Sequence, residues 1–173
     1  MGSVSPMTKS EFAQLLQRFA VQPTPATVAE RHLYLWTDDL DPLVAIAPAG
    51  ICAYLDMGDL AAILVRRPNA IDEARKVLQG AIQLWLHDHR VQMEQQVVIV
   101  TGVWLLARYK PSLHALVQTA SDRCMVVFVA PHAETGFTPM RALPPYIAIR
   151  PVSLLEYVQA TLNLIIVEGN RRA

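Results

Sequence analysis

The chain has seven glycines in 173 residues, and none is clustered into a loop that could cradle phosphate. Neither G-x-x-x-x-G-K-[ST] nor G-x-G-x-x-G occurs, so both common backbone signatures for nucleotide phosphates are missing. Charge is scarce too: charged residues make up 17%, and fifteen basic side chains cancel fifteen acidic ones at a pI near 7.0. A neutral surface exerts little long-range pull on a polyanion, which argues against direct nucleic-acid binding. Arg66-Arg67 and Arg171-Arg172 are short basic clusters, too small to change that balance. The two cysteines, Cys52 and Cys124, sit inside apolar runs and are expected as buried thiols in a reducing cytoplasm. No stretch reaches the ~18 uninterrupted apolar residues of a membrane span. The opening MGSVSP lacks the pattern of a secretory signal. Residues 1–7 are therefore expected as a disordered or cloning-derived start, with Met7 the natural first residue.

Apolar residues, by contrast, are abundant at 53%. The length suits one domain, 1–173, with a core that needs no disulfide or metal. An apolar surplus at zero net charge favours a fully covered sheet, self-association or a partner.

Periodicity predicts alternating helices and strands. Thr8-x-x-Glu11 is a capping box ahead of Phe12, Leu15, Leu16 and Phe19 at helical spacing. Gln22-Pro23-Thr24-Pro25 ends that helix in a stiff connector. Arg31–Trp36 reads as a strand, followed by an acidic turn through Pro42. Leu43–Ala47 fits either a strand or the edge of a small helix. Ile51–Leu55 reads as a strand ending at Asp56, and Asp59–Val65 as a short helix. Asn69 then caps a long amphipathic helix ending near His87.

Val97–Val100 and Met125–Val129 are short, uniformly apolar runs, as expected of neighbouring strands in a buried parallel sheet. The segment between them is partly helical, with the helix proper expected to begin near Pro111. A loop over His132–Leu143, a strand over Tyr146–Arg150 and a C-terminal helix from Ser153 to about Val167 complete the reading. That last helix is apolar nearly all round, so Leu154, Tyr157, Leu164 and Ile166 are candidates for a partner surface. The expected class is α/β: a single three-layer domain around a mostly parallel central sheet.

Few residues suggest chemistry. Asp38, Asp39 and Asp41 follow the first strand, where carboxylates could hold Mg²⁺ or exchange protons; the same residues are also common turn formers. Thr101-Gly102 ends a buried strand and could offer a hydroxyl and an N–H to a cofactor, or simply make a tight turn that requires glycine. In NTPases the comparable strand ends in an acidic residue that serves Mg²⁺ and water, and here that place holds Thr101. His87-x-His89 lies at a helix end, where alternate residues point apart and cannot chelate; no metal site is expected. No serine sits in a nucleophile elbow, and neither cysteine has a histidine nearby in sequence. No catalytic residue and no cofactor are assigned.

The order of these motifs resembles the BrxB-like small component of bacterial BREX phage-exclusion systems. The likeness rests on HLYLWTDDLDP, on ICAYLDMGDLAAIL, on VVIVTGV with Leu113 and Leu116 in the following helix, and on MVVFVAP. It spans roughly Arg31 to Arg150, and the chain is shorter than that family between Pro42 and Cys52. The resemblance implies a P-loop-NTPase-like sheet that lacks the phosphate loop and a working nucleotide site, and a partner role with a larger alkaline-phosphatase-like, PglZ-type protein; the chain is expected to be cytoplasmic. It supplies no catalytic residues. The alternatives are a homo-oligomer and a degenerate nucleotide-binding or nucleotide-hydrolysing domain.

Overall fold

The computed structural model describes residues 7–25, 32–62, 71–89, 95–109, 111–130 and 165–168. A two-residue strand, β1 (Met7–Thr8), runs straight into α1 (Lys9–Val21). Both halves of the expected capping box form: the Glu11 amide donates to Thr8 Oγ1 at 3.2 Å, and the Thr8 amide donates to Glu11 Oε2 at 2.8 Å. Two N–H groups left open by the helix start are thereby satisfied. Met7, expected within a disordered start, is instead half-buried in β1.

Strand β2 (Leu33–Trp36) leads into α2 (Leu40–Ile46), which absorbs both the acidic turn and the ambiguous Leu43–Ala47 run. Pro42 is tolerated because it falls in the first helical turn, where its missing N–H would have had no intrahelical partner. Next come β3 (Cys52–Asp56), α3 (Met57–Ala62) and α4 (Ile71–Asp88). Then follow β4 (Gln96–Thr101), α5 (Trp104–Tyr109), α6 (His114–Thr119) and β5 (Cys124–Val129). The crossover between β4 and β5 is thus two short helices on either side of Pro111, where the sequence pointed to one main helix.

The last described element is β6 (Ile165–Glu168). This corrects the expected helix to about Val167: Ile166 lies in a strand, opposite Leu35 of β2. Strand pairing decides the outcome, because an apolar β-branched run gains ladder hydrogen bonds on both sides when it inserts between two strands. Leu154, Tyr157 and Leu164 lie outside the described residues, as do the expected strand Tyr146–Arg150 and the two arginine pairs.

The sheet order is β1-β6-β2-β5-β4-β3, and every strand pair is parallel. Four strands, β2-β5-β4-β3, form its main body, with helices on both faces. On one face α1 and α2 pack Phe12, Leu16, Phe19 and Leu43 onto Tyr34, Trp36, Val97, Ile99 and Val127. On the other, α3 to α6 pack Leu60, Leu78, Ile82, Leu106 and Leu116 onto Leu35, Leu55, Val98, Val100 and Phe128. The runs in β4 and β5 are apolar at successive positions because both sides of each strand face a helical layer.

The connections also follow one hand. The chain advances towards the β3 edge with α1 and α2 on one face, then returns through β4 and β5 with α3 to α6 on the other. Reversing direction and changing face together keep the crossovers from β1 through β5 of the same hand. Among the described residues four large apolar side chains are exposed, Val21, Val44, Tyr54 and Leu84, each on a different element. There the apolar surplus goes mainly into the two cores. No helix among the described residues is long and apolar enough to cross a membrane.

Candidate functional site

Parallel α/β sheets bind ligands beyond the carboxyl ends of their strands. Here that edge carries Thr8, Thr37, Asp38, Asp56, Thr101 and Gly102. The two groups of candidates from the sequence do not meet on it. Asp38 and Asp39 follow β2, Thr101 ends β4, and β5 lies between, so two strand spacings (about 10 Å) separate them.

Each group is held by its own neighbours. The Asp38 carboxylate forms an ion pair with Lys9 at the start of α1, and its Oδ1 accepts the Asp39 amide at 2.8 Å. The Lys9 bond, followed by the Asp39 amide, holds the Asp38 carboxyl below the usual carboxylate range. Lys9 Nζ also lies 5.5 Å from the centre of the Trp36 ring, whose Nε1 donates to Asp39 O at 2.8 Å. Asp39 and Asp41 are exposed in the first turn of α2; Asp39 is the N-cap by backbone position, without a side-chain cap bond. Buried Thr37 donates its Oγ1 to Val167 O at 3.1 Å, and its amide reaches the same oxygen at 3.4 Å.

At the other end of the edge, Thr101 pairs in register with Asp56. Asp56 Oδ1 accepts the Gly58 amide at 2.7 Å and the Asp59 amide at 3.4 Å, closing the turn into α3. Gly102 has φ +67° and packs against that turn: an added Cβ would lie 3.1 Å from Gly58 N and 3.2 Å from Asp56 Oδ1. Its carbonyl accepts the Leu105 amide at 3.1 Å, opening α5. Of the two sequence readings for Thr101-Gly102, the geometry matches the tight turn that demands glycine.

Sequence reasoning missed three participants: Lys9, Asp56 and His32. Only pairing across the sheet reveals Lys9. Asp56 had a local signal, a carboxylate at a strand end two residues before glycine. His32 is buried between Tyr34 Oη, 2.8 Å from Nδ1, and the Thr24 carbonyl, which faces Nε2. With Nε2–H donating to that carbonyl, Nδ1 accepts the Tyr34 hydroxyl, and the ring ties the proline-rich connector to β2. Burial also raises the Tyr34 hydroxyl above its ordinary pKa.

At the end of α4, His89 stacks on Trp85 with centroids 4.1 Å apart, and its Nδ1 donates to Trp85 O. No group of three or more His, Cys, Asp or Glu side chains suited to a metal ion occurs among the described residues. Both cysteines are free and, contrary to full burial, only partly covered. Cys52 Sγ donates to Pro48 O at 3.3 Å, and burial pushes the Cys124 thiol up to about 11.

Fold and edge together define an all-parallel α/β protein with helices on both faces of its sheet. No protein-family profile matches the chain, and neither a curated protein nor a solved structure is significantly similar to it.

Proposed function

We propose that the chain is a non-catalytic adaptor or scaffold of a bacterial anti-phage defence system, acting in the cytoplasm and binding a larger alkaline-phosphatase-like, PglZ-type protein. One observation carries the non-catalytic half of this reading. The side chains that would make the carboxyl edge chemical are engaged in holding the fold: Asp38 with Lys9, Thr37 with Val167, Asp56 with Gly58. The strand–turn–helix at β2, where an NTPase would cradle phosphate, offers the carboxylates of Asp38, Asp39 and Asp41, which repel it. The defence-system half rests on the resemblance of HLYLWTDDLDP, VVIVTGV and MVVFVAP to the BrxB-like family.

The test is co-expression with an alkaline-phosphatase-like, PglZ-type protein, followed by size-exclusion chromatography. A stable complex that elutes ahead of either protein is expected, and separate elution at micromolar concentration overturns the reading.

A degenerate nucleotide-binding domain of the P-loop-NTPase type is the second reading, favoured by the Asp56 carboxylate next to Thr101 at the edge of a parallel sheet. Thermal unfolding with millimolar Mg-ATP or Mg-GTP separates the two. A nucleotide at 100 times its dissociation constant stabilises by about 2.7 kcal/mol, whereas the adaptor reading expects no shift.

A further inference from the structure

We infer that Thr37 and Asp38 form a clasp that locks β1 and β6 onto the sheet as one cooperative unit. The two terminal strands are weak by themselves. β1 has two residues, below the usual strand length, and its one strand neighbour is β6. β6 has four residues and lies between β1 and β2, with Met7 opposite Val167 and Leu35 opposite Ile166.

The turn after β2 grips both from one place. Thr37 directs its amide and its hydroxyl to a single acceptor, the Val167 carbonyl, 130 residues away in sequence. That oxygen has two lone pairs, so both donors are accommodated. Asp38, the next residue, takes the ammonium of Lys9, which is the first residue after β1. Val167 itself is fully buried against the α1 face of the sheet. Loosening either grip weakens the seat of both strands, because among the described residues β1 pairs with β6 and with no other strand. The clasp also closes the carboxyl edge between β2 and β6, so release of β6 uncovers the edge of Leu33–Trp36.

Hydrogen exchange read by mass spectrometry on the full chain tests this with two mild variants. Thr37→Val removes the hydroxyl donor and keeps the amide, and Lys9→Met removes the charge and keeps the stem. Each is expected to speed exchange in peptides covering β1 and β6 together, by roughly three- to tenfold for Thr37→Val, the size of one lost hydrogen bond, and by up to about fivefold for Lys9→Met, the size of a part-exposed ion pair. Peptides covering β3, β4 and β5 are expected to keep the wild-type rate. Faster exchange in β6 without β1 after Thr37→Val, or in β1 without β6 after Lys9→Met, overturns the clasp. So does an equal acceleration across the whole sheet, or no acceleration at all. A nucleotide or partner result has no bearing on these rates, so this inference and the adaptor reading fail independently.

Discussion

The two ends of the carboxyl edge are closed by different means. At β3–β4 the closure is tight: the Asp56 carboxylate caps the backbone amides that follow it, and Gly102 at positive φ lets the two turns touch. At β1–β6–β2 it is made of side chains that meet across long stretches of sequence, Lys9 on Asp38 and Thr37 on Val167. The first closure is rigid because no other residue type fits the Gly102 position without strain. The second is adjustable, because an ion pair about one-third exposed and one hydroxyl bond are each worth little. A ligand edge can therefore be filled in by the fold itself in two ways, and only one of them can be opened cheaply.

The largest expected effect breaks the rigid end. Gly102→Ala forces an L side chain into left-handed backbone and drives its Cβ towards Gly58 N and Asp56 Oδ1. A loss of about 1–3 kcal/mol in urea unfolding is expected, with strain supplying most of it. A change below about 0.5 kcal/mol would mean that this turn is looser than its geometry indicates.

Next in size, Asp56→Ala removes the acceptor of the Gly58 amide and should cost about 1 kcal/mol by the same measurement, as cap losses do. Because Asp56 touches the Gly102 turn, the double variant should be non-additive. Additivity would show the two halves of that end to be independent.

The smallest effect is at the adjustable end. Lys9→Met should cost less than about 1 kcal/mol, since both partners of the pair are about one-third exposed and screened by solvent. Its pH dependence is diagnostic. The folded Asp38 carboxyl titrates below its unfolded value, so the pair stabilises the fold above the ordinary carboxylate range. That contribution disappears as pH falls through the folded value. The stability gap between wild type and Lys9→Met, followed by unfolding at successive pH values, should therefore close on acidification. A gap that persists at low pH would assign the effect to the lost contact of the Lys9 ammonium with the Trp36 ring.

Much of this architecture was legible along the chain, wherever one local rule dominated. The Thr8-x-x-Glu11 box announced α1, and the unbroken apolar runs at Val97–Val100 and Met125–Val129 announced central parallel strands. The acidic turn before Pro42 was harder to read, because aspartates and a proline suit a turn and a helix start equally well. Ile165–Val167 misled because an apolar β-branched run fits helix or strand until its neighbours are known. Among the candidate site residues, Gly102 could be read from its place between strand and helix. Asp38 could not be understood without Lys9, whose role depends on a strand pair that joins opposite ends of the sequence.

The sequence by itself determined the start of α1, the buried strands at the centre of the sheet and the want of a phosphate loop, because each depends on residues within one turn or one strand. The tertiary structure alone decided the strand order, the place of Ile165–Glu168 in the sheet and the pairing of Asp38 with Lys9 and of Thr37 with Val167. Pairing across a sheet and packing of one turn against another are contacts between distant residues, and no local pattern encodes which distant residue arrives.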